Sequence, residues 1–275
     1  MADFSAATAV EPRTGAGTGA DGHEFDAALD EQWSVGGKLH GGYLLAVLGR
    51  AAARASGVAH PHLTAIGGAF VEPPAPGPAV VAVEVLRAGR GTTQLRARLS
   101  QDGRPCVEAL ITQGLLEEGE AWWTSSEPVD LPPERDCFPM PPEAPGAGLR
   151  VALMEVVEQR LNPADLGFAA GEPGRRGTVS GWQRLADGSD WDPLSLLVAL
   201  DPVPPVSYDL GLPGWAPTVQ FGAYIRRLPA PGPVRVRMTA TEVAGDRMDE
   251  VAHAWDGKDR LVAQATQFAA VRVPR

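Results

Sequence analysis

The chain is poor in cysteine and has no excess of positive charge. Its 275 residues contain two cysteines, Cys106 and Cys137, so neither a disulfide framework nor a metal site with cysteine spacing is expected. The formal net charge of −10 argues against a general nucleic-acid binder, because phosphate binding needs a basic surface. No apolar run reaches the roughly 18 residues of a membrane span, and no signal pattern opens the chain. We expect a cytoplasmic protein that needs no metal and no other cofactor.

A repeated pattern indicates that the chain is duplicated. The strand-like segment 63–70 resembles 217–224, and several residue types recur at an offset of 154 residues. A constant offset over about fifty residues predicts two similar halves. The matched pairs are Thr64 and Thr218, Phe70 and Tyr224, Asp102-Gly103 and Asp256-Gly257, and Thr112-Gln113 and Thr266-Gln267.

The repeat divides the chain into two units with flanking segments. Each unit predicts an antiparallel sheet, as in the alternation of Thr93 to Ser100, together with one helix. The helices are predicted over Tyr43 to Ala55 and over Leu194 to Leu200, the second one capped by Asp192. Prolines favour a semi-rigid connector between the units. The predicted boundaries are a frayed arm over 1–22, a first unit over 23–116, a linker over 117–148 and a second unit over 149–275.

Three polar residues of the second unit are candidates for chemistry. Asp201 ends an apolar helix, where a carboxylate must be satisfied or is costly. Thr218 and Gln267 have twins in the first unit, but only the second unit adds a carboxylate. Asp, Thr and Gln suit a water-activating site, in which the Asp takes the proton and the other two orient the water. The competing interpretation is a helix-terminal Asp that caps local backbone, with Thr and Gln as repeated structural devices.

A second candidate element is the turn His40-Gly41-Gly42 at the start of the first helix. Free N–H groups at a helix N-terminus can stabilise the negative charge that develops on an attacked carbonyl oxygen. Glycine would let a substrate approach that backbone closely. A tight strand-to-helix turn would use the same glycines, and His40 is favoured as a structural or substrate-contacting residue over a general base.

The duplicated unit resembles the hotdog fold, and residues 24–273 resemble the double-hotdog acyl-CoA thioesterases of the type II class. The matches are Asp201, Thr218 in the segment Thr-Val-Gln-Phe-Gly, and Gln267 in the segment Ala-Thr-Gln-Phe. The resemblance implies an α+β tandem hotdog, with a long helix wrapped by an antiparallel sheet in each unit. It further implies hydrolysis of acyl-CoA by a water that Asp, Thr and Gln activate. The prolines at 202, 204 and 205 depart from the pattern and are expected to shorten the second helix.

Two other functions stay open at this point. A hotdog enoyl-CoA hydratase would need an Asp beside a His, and Asp201 has no His neighbour in sequence. An acyl-CoA binding protein with an idle site is the non-enzymatic alternative. The resemblance also suggests a homo-oligomer, an apolar acyl slot between the halves, and surface arginines that hold the CoA phosphates. The candidate arginines are Arg96, Arg98, Arg226, Arg227, Arg235 and Arg237.

Overall fold

The computed structural model describes residues 3–13, 22–144, 149–212 and 214–274. Alternating apolar residues in the first half form antiparallel strands around one long helix, α2 (Gly41–Ser56). The helix is preceded by a short helix, α1 (Phe4–Ala7), and by four strands: β1 (Val10–Pro12), β2 (Gly22–Leu29), β3 (Ser34–Val35) and β4 (Lys38–Leu39). It is followed by β5 (His62–Phe70), β6 (Gly77–Ala88), β7 (Thr93–Gln101) and β8 (Arg104–Gly114).

The second half repeats this pattern with a much shorter helix. Its helix is α3 (Leu196–Ala199). The strands before it are β9 (Phe138–Pro139), β10 (Glu143–Ala144), β11 (Leu149–Arg150), β12 (Val157–Leu161) and β13 (Thr178–Leu185). The strands after it are β14 (Thr218–Ile225), β15 (Val234–Ala244), β16 (Arg247–Trp255) and β17 (Leu261–Ala270).

Both halves contribute to one antiparallel sheet that is symmetric about its centre. The central strands β5 and β14 pair with each other, so that Gly67 lies opposite Gly222. Outward from this pair the order is β8, β7, β6, β2 and β1 on one side, and β17, β16, β15, β13, β12 and β9 on the other. Each first-half strand of this large sheet therefore has a counterpart in the second half. The duplication read from the sequence is the internal symmetry of the sheet.

Helix α2 lies in the core of the molecule. Ten of its residues are buried, and the helix contacts β5, β6, β7 and β8. Its first turn also lies very close to α3. A Cβ added at Gly42 would lie 2.2 Å from the main-chain oxygen of Leu197, which is much closer than real atoms approach. Glycine at this position lets the helices of the two halves touch backbone to backbone.

The prediction of a long helix in each unit was not confirmed. The second unit has no long helix, because the prolines that follow Asp201 prevent its continuation, and α2 is the one helix of seven or more residues in the described ranges. A 3-10 turn, Ala152–Glu155, precedes β12. Residues 3–13, which lie in the predicted arm, contain α1 and β1, and Phe4 and Val10 are buried. The remainder of the predicted arm up to residue 21 lies outside the described residues.

The close contact between the two helices gives a stability prediction. Gly42→Ala is expected to destabilise the fold by roughly 1–3 kcal/mol, since overpacking against rigid backbone forces a shift of the helices. Gly67→Ala is the matched control, because its added Cβ meets nothing within 4 Å. Chemical denaturation of both variants measures the difference, and equal unfolding free energies for the two variants would contradict the described contact.

Candidate functional site

The carboxylate of Asp201 lies where the two halves meet. Asp201 follows α3 by two residues, and its Oδ2 accepts a hydrogen bond of 3.1 Å from the Gly42 N–H at the start of α2. The N-terminus of a helix carries partial positive charge, so it stabilises an anion placed against its first turn. A carboxylate from one half is thus held by the helix of the other half.

The other oxygen of this carboxylate is held by a chain of side chains from the sheet. Gln267 on β17 donates from Nε2 to Oδ1 of Asp201 at 3.2 Å and to the Leu200 carbonyl at 3.3 Å. Thr218 at the start of β14 donates from its hydroxyl to Oε1 of Gln267 at 2.9 Å. These bonds fix the orientation of the amide and leave further lone pairs on Asp201 and Thr218 for a bound water.

His40 completes the surroundings of Asp201. Its side chain is buried, and Nε2 lies 2.6 Å from the main-chain oxygen of Asp201 and 3.3 Å from Oδ2. A carbonyl only accepts, so the short contact requires the proton on Nε2. Nδ1 of His40 is buried and has no hydrogen-bond partner within the described ranges. The geometry makes His40 a residue that positions Asp201.

Gly41 is the first residue of α2 and faces the same carboxylate. A Cβ added there would lie 2.9 Å from Oδ2 of Asp201 and 3.0 Å from the Phe70 ring, so a side chain would fill the space beside the carboxylate. The first N–H groups of a helix have no intrahelical acceptor. Because Gly42 donates to Asp201, the Gly41 N–H is the donor of this turn that could face a substrate oxygen.

A cavity of about 420 Å³ opens onto these residues. Its walls come from both halves and are mainly apolar, and Asp201 is among its few polar groups. Most ligand sites have this character: apolar walls and a few placed polar groups. The apolar lining includes Leu39, Leu44, Phe70, Val203, Pro205 and Met238, and the polar lining includes Lys38, His40, Asp201, Thr218, Glu250 and Gln267.

The structure brings all six predicted site residues together, whereas the predicted arginines lie elsewhere. Arg96 pairs with Glu84 and Arg98 with Glu108. Arg227 donates to a main-chain oxygen. None of the six candidate arginines lines the described cavity, and the cation that does so is Lys38.

One buried acid of the cavity was not predicted from the sequence: Glu250 on β16. Its side chain is buried, and its Oε1 has no hydrogen-bond partner in the part of the chain that the structure describes. Burial, and then the nearby charge of Asp201, raises the pKa of Glu250 to about 8. Alternation along β16 places Glu250 on the core face with Met248 and Ala252. That pattern alone could have indicated an inward carboxyl, but not its neighbours.

The described residues contain no cluster of His, Cys, Asp and Glu that could hold a metal ion. Likewise, no helix within the described ranges is long and apolar enough to cross a membrane.

The polar set around Asp201 contains a proton acceptor, hydrogen-bonding groups for a water, and donors at a helix N-terminus. This set can deprotonate a water and stabilise an oxyanion with protein groups alone.

Two family models match most of the chain. The model of the acyl-CoA thioesterase N-terminal domain matches residues 29–114, and the model of the acyl-CoA thioesterase C-terminal domain matches residues 128–271. An uncharacterized protein of Mycobacterium tuberculosis strain H37Rv is 32% identical over 268 residues, which cover 90% of each chain.

Solved structures are similar over nearly the whole chain. A candidate thioesterase II from Thermobifida fusca is 29% identical with a TM-score of 0.85, and the match covers 99% of this chain and 98% of that one. A hotdog-fold protein of unknown function from Alicyclobacillus acidocaldarius is 22% identical with a TM-score of 0.80 and the same coverage. The latter likeness shows the hotdog fold.

Glu250 gives a prediction about stability and pH. The folded protein keeps Glu250 protonated up to about pH 8, whereas the unfolded chain ionises it above its ordinary value of 4.5. The wild type should therefore lose stability relative to Glu250→Gln as the pH rises between these values, by a few kcal/mol. Urea unfolding of both proteins near the two ends of this range measures the change. Asp249→Asn, at an exposed position, is the control, and a pH-independent difference would contradict the buried acid.

Proposed function

The chain belongs to the acyl-CoA thioesterase family, and we propose that it hydrolyses acyl-CoA with a water held and activated by Asp201, Thr218 and Gln267. The observation that supports this role is the position of the Asp201 carboxylate. It faces an apolar cavity between the halves, and it is fixed by Gly42 and Gln267. A carboxylate that only capped local backbone would not need donors from two other elements.

In the proposed reaction, Asp201 takes a proton from the water as its oxygen attacks the thioester carbonyl carbon. Thr218 and Gln267 keep the water and the carboxylate in line, because their own hydrogen bonds fix them. The N–H of Gly41 at the start of α2 stabilises the charge on the carbonyl oxygen. When the carbon–sulfur bond breaks, the proton on Asp201 passes to the leaving sulfur. The products are a carboxylic acid and free CoA thiol.

A hydratase is the second candidate, and one observation favours it. His40 lies 3.3 Å from the Asp201 carboxylate, so the chain does bring an Asp and a His together, although they are 161 residues apart. However, Nε2 of His40 is engaged by the main-chain oxygen of Asp201. This ring orientation suits a positioning role better than proton transfer to a substrate.

We also propose that the protein is a homo-oligomer. Three large apolar side chains are exposed on strands near the sheet centre: Leu110 on β8, Tyr224 on β14 and Phe268 on β17. Exposed apolar surface is typical of association sites. Sedimentation of the full-length chain tests this directly, and a purely monomeric protein at micromolar concentration would contradict it.

The hydrolytic mechanism predicts the behaviour of Asp201→Asn. Free-thiol release from acyl-CoA should fall by about a hundredfold or more, because the variant cannot take the proton from water. Asp249→Asn, an exposed carboxylate on the same sheet, should keep the wild-type rate. Thermal unfolding of both variants confirms that they are folded.

The same assay separates the three functions. Unchanged thiol release in Asp201→Asn would reject the site assignment. The absence of thiol release from every acyl-CoA tested in the wild type would favour a binding protein. If the absorbance of an enoyl-CoA falls without release of thiol, water has added to its double bond, and the hydratase would be favoured.

A further inference from the structure

Glu250 lies on the inner side of the water-holding residues. The side chain of Asp201 is 15% exposed and Thr218 is partly exposed, whereas Gln267 and Glu250 are 5% and 4% exposed. All four line the same cavity. A ligand that enters from solvent therefore meets Thr218 and Asp201 before it reaches Glu250.

The register of the sheet places Glu250 beside the reacting group. On the antiparallel strands β16 and β17, Glu250 lies directly opposite Gln267, and such partners have Cβ atoms about 5 Å apart on one face of the sheet. Gln267 in turn holds the Asp201 carboxylate. Glu250 is thus separated from Asp201, the proposed general base, by one side chain.

The two ends of an acyl-CoA differ in how easily they can be buried. CoA carries phosphates, and the described cavity wall holds no arginine, with Lys38 exposed. The buried part of the cavity wall includes Met238, Val203 and Leu44 as well as Glu250. The acyl group therefore occupies the inner part, and CoA stays towards solvent. The first carbons beyond the carbonyl then lie near Glu250.

A plain hydrocarbon chain at this place would leave Glu250 unsatisfied. Its Oε1 already has no hydrogen-bond partner within the described residues, and a hydrocarbon would exclude the water that could serve it. A buried polar group without a partner costs free energy. A site with such a group discriminates against a ligand that lacks the matching hydrogen bond.

We propose that Glu250 selects acyl groups with a hydroxyl on the α or β carbon, so that hydroxyacyl-CoA thioesters are the favoured substrates. This inference rests on the proposed function. A hydroxyl both donates and accepts, and a protonated carboxyl does the same, so the two can pair reciprocally. The raised pKa of Glu250, about 8, keeps this carboxyl protonated at neutral pH.

The test compares kcat/KM for thiol release from acyl-CoA and from α- and β-hydroxyacyl-CoA of equal chain length. The wild type should favour one of the hydroxylated substrates by about tenfold or more. Glu250→Leu should lose this preference and gain activity on the plain chain, whereas Glu250→Gln, which still donates and accepts, should keep most of it. Asp249→Asn should behave as the wild type.

The results test the selectivity of Glu250 and the proposed hydrolysis separately. If the wild type hydrolyses the plain chain with the same kcat/KM as both hydroxylated chains, the inference is overturned. This result needs no variant, so it decides the question even if Glu250→Leu does not fold. An unchanged preference in a folded Glu250→Leu overturns it as well. Thiol release that survives Asp201→Asn counts against the proposed function instead. Conversion of the hydroxylated substrate to an enoyl-CoA without free thiol also counts against the proposed function.

Discussion

The site depends on a single electrostatic contact: the carboxylate of Asp201 against the first turn of α2. The hydrogen bond from Gly42 crosses from one half of the duplicated chain to the other. This bond places the Asp201 carboxylate, which follows α3, beside the partial positive charge at the N-terminus of the buried helix α2. Gly41 and Gly42 permit it, since side chains at either position would collide with Asp201 or with the backbone of α3.

The two halves share one sheet, but the helices that they contribute differ in length. In the first half, the sixteen residues of α2 fill the core. In the second half, α3 has four residues, and the proline-containing segment after Asp201 contributes Pro202, Val203 and Pro205 to the cavity wall. The loss of one long helix thus coincides with an apolar space beside the acid. The asymmetry between the copies thus leaves room for the cavity beside Asp201.

The sequence was informative where the pattern is local or repeated. Alternation predicted strands such as β7, apolar spacing predicted α2, and the offset of 154 residues predicted the symmetry centred on β5 and β14. It was less informative about contacts between distant residues. Nothing local indicates that His40 reaches Asp201, or that Glu250 lies opposite Gln267. The ordered segment 3–13 was missed because its apolar residues are few, and they are buried by tertiary packing.

In the proposed reaction, Asp201 takes a proton from water and does not attack the thioester itself. A single turnover in ¹⁸O-labelled water, with enzyme in excess over acyl-CoA, tests this by mass spectrometry, because an acyl-Asp201 anhydride that water opens at the Asp201 carbonyl carbon would carry the label into Asp201. The account predicts that the label appears in the released carboxylic acid and that the peptide containing Asp201 stays unlabelled. Label in the Asp201 carboxylate, together with an unlabelled acid product, would mean a covalent acyl-enzyme anhydride and would contradict it.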